Sequence, residues 1–138
     1  MKGLGFFGAP NGSSQWSLLD KFPKSDVVAF TTYHNLVYSS PSDIPSNYYN
    51  EITIHTSKPI VFTEIGWHSA AEPIGWEATE NEQAVFVSLF FNQTSTINPK
   101  FVTWSFLYDQ NTIKPFDSMG LIDKNGNTKL AWDAWVNN

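Results

Sequence analysis

No cysteine occurs in the 138 residues. Disulfides, thiolate metal sites and thiol nucleophiles are excluded together, although the compartment is not thereby fixed. Arginine is missing as well, and all eight basic residues are lysines. Phosphate and nucleic-acid recognition rely heavily on the guanidinium fork, so no nucleic-acid partner is expected, nor a strongly anionic sugar. There is no basic run to hold a membrane surface, and the net charge is −5. No apolar stretch approaches the ~20 residues of a membrane span. The opening residues Met1 to Phe7 lack the apolar length of a secretory leader, so neither a membrane association nor a signal peptide is expected. The three histidines, His34, His55 and His68, show no helical or hairpin pairing, so no metal or other cofactor is expected.

What is present in excess is aromatic surface. Aromatic residues make up 16% of the chain, with six tryptophans, and apolar residues 41%. A chain this hydrophobic folds around a core. The surplus rings have two readings: a Trp-rich core, or platforms that stack on the apolar face of a sugar.

The pattern along the chain alternates. Residues 3–14 read as a loop, and Ser14 is placed to cap a helix over 15–22 with Trp16, Leu19 and Phe22 on one face. Residues 26–33 are apolar and β-branched and predict a buried strand. A loop over 34–45 precedes a helix over 46–56, and residues 60–64 form a second strand. A loop over 66–78 leads to the clearest helix, over 79–92, with acids in its first turn and Val85, Phe86, Leu89 and Phe90 at three-to-four spacing. Residues 101–107 form a third strand, and 128–136 a last helix carrying Trp132 and Trp135, expected in the core. Strands separated by helices indicate parallel βαβ units. The expected fold is α/β, one domain over residues 1–138.

Reactive groups in such folds gather at the C-terminal ends of the strands. The first strand ends in Thr32-Tyr33-His34-Asn35, and the second in Thr63-Glu64-Ile65-Gly66-Trp67. The third carries Trp104 and runs on to Tyr108-Asp109. A carboxylate closing a buried strand is either a satisfied structural acid or a functional one, which makes Glu64 the residue of interest. Tyr33 either orients Glu64 or simply packs. His34 and His68 are cleft or loop histidines, and Trp67 and Trp104 are sugar platforms or core. Asp109 is the only other acid expected near this rim, where it caps a loop, meets a sugar hydroxyl or pairs with Glu64 for catalysis. Asp43, Asp117, Asp123 and Asp133 read as loop, cap or surface acids.

The stretch Pro59-Ile60-Val61-Phe62-Thr63-Glu64-Ile65-Gly66-Trp67 resembles the seventh strand of the large clan of retaining glycoside hydrolases built on an eight-fold βα barrel. There the strand ends in the nucleophilic Glu. Residues 26–33 resemble the sixth strand, where a Tyr or His faces the cleft. Phe101-Val102-Thr103-Trp104-Ser105-Phe106 resembles the eighth, whose Trp floors the sugar subsite. Gly120-Leu121-Ile122-Asp123 with Lys129-Leu130-Ala131-Trp132 is similar to the closing segment. The likeness covers roughly residues 15–136. It implies a partial TIM-type (β/α)8 barrel, about half of one, since a whole barrel takes about 200–250 residues. It implies Glu64 as nucleophile, Tyr33, His34, Trp67, His68, Trp104 and Asp109 as substrate-binding residues, and a neutral oligosaccharide or polysaccharide as partner.

The clan's acid/base Glu, which follows Asn on the fourth strand, has no counterpart here; Asn50-Glu51 falls in an expected helix. Three functions therefore stand beside one another. One is a glycosidase fragment inactive or nearly so alone, one a carbohydrate-binding remnant, and one a self-assembling structural half barrel. An open sheet of apolar strands further predicts a homodimer or larger assembly that buries an apolar face.

Overall fold

β-Branched and aromatic residues dominate the three extended segments, and each becomes a strand. They are β1 (Val28–Thr32), β2 (Ile60–Ile65) and β3 (Val102–Trp104). The structure is a computed structural model that describes residues 16–138 apart from Pro73. Both pairings within this sheet are parallel, with β2 between β1 and β3. β3 is shorter than the sequence predicts. Beyond Ser105, whose amide still bonds the Ile65 carbonyl, the chain turns its hydrogen bonds toward Ile122, which donates to the Leu107 carbonyl and accepts from the Asp109 amide at 2.9 Å each.

β2 holds one residue more than its neighbours. Phe30 pairs with Phe62 but Thr31 pairs with Glu64, and Val102 and Trp104 pair with Phe62 and Ile65. This is a bulge at Thr63, and bulges re-aim the side chains that follow them. The Thr63 hydroxyl donates to the Phe30 carbonyl at 3.2 Å, supplying a partner where the ladder slips. Before the bulge, Ile60 and Phe62 face the helices. After it, Ile65 faces them again, and Glu64 emerges exposed on the opposite face.

The helix-side face is the core. The Phe62 ring lies 6.1 Å from Phe30, 5.5 Å from Tyr49 and 5.0 Å from Phe90. The opposite face carries the buried Val61 and, toward the C-terminal ends of the strands, polar groups. The Thr31 and Thr63 hydroxyls lie 3.4 Å apart on it, and Tyr33, Glu64 and Ser105 join them. β1 alternates buried and half-buried residues, whereas β2 opens with three buried apolar residues in a row, Ile60, Val61 and Phe62. Among the described residues, the strand ends of the face that motivated a homo-oligomer are lined by hydroxyls.

Among the described residues, three α-helices cover the core side. The predicted helix over 46–56 is mostly tighter turn, with a 3-10 segment (Tyr49–Glu51) running into α1 (Ile52–His55). The predicted helix over 15–22 is likewise a 3-10 helix (Trp16–Lys21), and Ser14 lies outside the described residues. Trp16 and Leu19 pack on the core, whereas Phe22 is exposed.

α2 (Glu80–Thr94) is capped by Thr79, whose hydroxyl accepts from the Glu82 amide at 3.1 Å. Its buried stripe is Gln83, Phe86, Val87, Phe90 and Thr94, a spacing of three, four, seven and eleven from Gln83. The expected stripe was rotated: Val85 lies outside it and is 43% exposed. α3 (Leu130–Val136) packs on α2 and β3, with the Trp135 ring 5.3 Å from Phe91 and 5.7 Å from Trp104. Trp132 and Trp135 both pack against the core, as the sequence predicts.

Candidate active site

Glu64 and Tyr33 meet at the C-terminal ends of neighbouring parallel strands. The Tyr33 hydroxyl donates to Glu64 Oε2 at 3.1 Å. Ser105, one residue past β3, places its hydroxyl 2.8 Å from the Tyr33 oxygen and 2.7 Å from the Ile65 carbonyl. The Phe116 ring meets the Tyr33 ring edge-on at 5.4 Å and fixes its plane. Burial raises the Tyr33 phenol above its ordinary range. The Ser105 hydroxyl lowers it, and the Glu64 carboxylate raises it, both by charge and as hydrogen-bond acceptor. The phenol is therefore protonated and a donor at neutral pH. Gly66 makes room for this arrangement. A Cβ there would stand 3.2 Å from Tyr33 Cε1 and 3.3 Å from both Ser105 Oγ and Met119 Sδ.

The other nominated residues sit behind this face. Trp67 is fully buried, with its ring 5.3 Å from Phe86, and its carbonyl accepts from Gln83 Nε2 at 2.8 Å. Trp104 is buried between α2 and α3, and its indole N–H donates to the Met119 carbonyl at 2.7 Å. Neither ring is presented as a sugar platform. Strand alternation is the reason: with Trp104 turned to the helices, Ser105 takes the open face.

His34 is 2% exposed, ringed by Tyr38, Tyr48, Tyr49 and Phe86. Its Nδ1 lies 3.0 Å from the Thr32 hydroxyl and 3.4 Å from that of Tyr49, while Nε2 has no hydrogen-bond partner among the described residues. Burial lowers its pKa to about 3, so it is a neutral core residue. His68 is also 2% exposed. Asn35 Nδ2 lies 3.2 Å from its Nδ1, and its Nε2 bonds the Trp76 carbonyl. Burial lowers its pKa, partly offset by that carbonyl and by the charges of Glu82 and Asp117. It pins the loop that follows β2.

Asp109 is committed elsewhere. Its Oδ1 accepts from Lys129 Nζ at 2.6 Å and from the Gly120 amide at 2.9 Å. The Lys129 ammonium also donates to the Ser69 hydroxyl at 2.9 Å and the Ser118 carbonyl at 3.2 Å. This network ties three loops together, and Asp109 sits in it as a loop-capping acid. Glu51, of the Asn50-Glu51 pattern, accepts from the Trp16 indole at 3.0 Å. Among the described residues no group of His, Asp and Glu is placed to hold a metal ion.

Ser105, Gly66, Phe116 and Lys129 were not foreseen. Alternation across β3 was the available signal for Ser105. Gly66 and Lys129 stand in stretches that carry the resemblance, while no local pattern marks Phe116, and the roles of all three arise from segments far apart in sequence.

The sequence matches no protein-family model. A search of curated proteins also finds no match. Solved structures do share the fold. The chain is similar to Bifidobacterium dentium β-glucuronidase, with a TM-score of 0.65, 16% identity, and coverage of 83% of this chain and 20% of that one. It is similar to a GH2 β-galacturonidase from Eisenbergiella tayi, with a TM-score of 0.61 and 18% identity over 81% of this chain and 23% of the other. It is also similar to a β-1,3-glucanosyltransferase of Rhizomucor miehei, with a TM-score of 0.59 and 15% identity over 75% and 41%. The chain thus spans between a fifth and two fifths of these structures. Its α/β fold is that of a portion of glycoside hydrolase chains.

Proposed function

We propose that this chain is the strand-six-to-eight portion of a retaining glycoside hydrolase of the (β/α)8 type, one domain over residues 1–138, with Glu64 as its nucleophile. The observation that carries the proposal is Glu64 itself. It is an exposed carboxylate at the C-terminal end of the central parallel strand, delivered to the polar face by a bulge and held by a phenol donor. In the reaction Glu64 attacks the anomeric carbon, a glycosyl ester forms, and the bond to the leaving oxygen breaks with its electron pair departing on that oxygen. Tyr33 holds the carboxylate in line for attack.

A retaining pair needs a second carboxyl about 5–5.5 Å away to protonate the leaving group. Asp109 is bound to Lys129, and Glu51 to Trp16, so neither is assigned this task. The acid belongs to barrel strands beyond those described, from further chain or from a second copy. The substrate is a neutral oligosaccharide, because the hydroxyl-lined face offers hydrogen bonds and the chain has no arginine to meet a uronate. The test is product analysis. An activated aryl glycoside should release its phenolate in an amount matching the protein, while natural oligosaccharides stay intact. Glu64→Gln should release none. Release undiminished in Glu64→Gln overturns the assignment.

A further inference from the structure

We propose that Ser105 is a positioning residue for the nucleophile, acting through Tyr33: its hydroxyl donates to the phenol oxygen and so leaves the phenol proton directed at Glu64. The inference rests on Glu64 as the reactive carboxylate and adds a residue that acts at one remove. Three observations place it. Ser105 Oγ is 2.8 Å from the Tyr33 oxygen, which is itself 3.1 Å from Glu64 Oε2. The Ile65 carbonyl accepts the Ser105 backbone amide at 3.0 Å and lies 2.7 Å from the Ser105 hydroxyl as well, so it holds that hydroxyl beside the phenol while sharing its one proton with the Tyr33 oxygen. Gly66 lacks the Cβ that would crowd both Tyr33 Cε1 and Ser105 Oγ.

The physical consequence is directional. A phenol has one proton and rotates about its C–O bond. A donor fixed on its oxygen leaves one favourable direction for that proton, toward the carboxylate. Hydrogen bonds in such a chain also polarise one another. Removing Ser105 lets the phenol turn, and the carboxylate loses part of its restraint.

The experiment uses protein carrying ¹³Cζ-labelled tyrosine, with the Tyr33 resonance assigned by its loss in Tyr33→Phe. Ser105→Ala should shift the onset of Tyr33 ionisation to higher pH, because the group that lowers it is gone. Glu64→Gln should shift it to lower pH, and Ser105→Thr should restore the original behaviour. Gly66→Ala, which pushes Tyr33 and Ser105 apart, should move it in the same direction as Ser105→Ala and serves if that variant does not fold. Covalent labelling by an activated 2-fluoro glycoside should slow about fivefold in Ser105→Ala, the usual worth of one hydrogen bond, and recover in Ser105→Thr. An unchanged Tyr33 titration in folded Ser105→Ala or Gly66→Ala overturns the relay whatever the labelling does. Absence of labelling in the unaltered protein, with the Tyr33 shifts as expected, overturns Glu64 as nucleophile and leaves the relay standing.

Discussion

The neutral, enclosed state of His34 makes stability fall in mild acid. A histidine whose folded pKa is below its unfolded one binds protons more readily when unfolded, so stability drops as pH falls through the unfolded value toward the folded one. The unfolded value is about 6.5, and burial among four aromatic rings takes the folded value to about 3. The loss therefore begins near pH 6.5 and continues to about pH 3. Each pH unit inside that window costs about 1.4 kcal/mol, so going from pH 7 to pH 5 removes about 2 kcal/mol. His68 shifts the same way and adds to the slope, so the unaltered protein alone does not isolate His34. Urea denaturation of the unaltered protein and of His34→Gln, each at pH 7 and pH 5, separates them. His34→Gln is expected to be less stable at pH 7 but to lose about 2 kcal/mol less on acidification. Equal losses would show that His34 titrates freely in the folded state, as a cleft residue would, and would refute its placement in the core.

Other perturbations have equally direct readouts. Lys129→Met leaves the nearly buried Asp109 carboxylate without its counter-charge and should cost about 3–5 kcal/mol in urea unfolding, most of it recovered in the double variant Lys129→Met/Asp109→Leu. Thr79→Ala removes the cap from α2 and should cost about 1 kcal/mol, whereas Thr79→Ser should be nearly neutral by the same measurement.

Element order was legible because it depends on local pattern. The apolar runs at 26–33 and 60–64 and the acid-led helix at 79–92 each carry their own signal, and their alternation fixes parallel pairing. Side-chain direction was less legible. The bulge at Thr63 turns Glu64 to the polar face, and it exists only in the register between β2 and both neighbours. Trp67 and Trp104 read equally as sugar platforms or as core because each lies next to a strand end or within a strand. Their burial depends on Phe86, an α2 residue whose ring meets both. His34 and His68 were ambiguous for the same reason: a histidine after a strand end is read by what encloses it, and here the enclosure comes from tyrosines at 38, 48 and 49 and from Asn35. Tyr33 beside Glu64 was the pairing that the sequence did foreshadow, since parallel strands bring their ends together.

The most direct test of Glu64 as a glycosidase nucleophile is peptide-mapping mass spectrometry after exposure to an activated 2-deoxy-2-fluoro aryl glycoside. The fluorine slows hydrolysis of the glycosyl ester, so an adduct persists long enough to be located. The expected result is a single sugar adduct on the peptide containing Thr63-Glu64-Ile65, absent in Glu64→Gln and slowed in Tyr33→Phe. An adduct on another carboxylate, or one that persists in Glu64→Gln, would contradict the assignment.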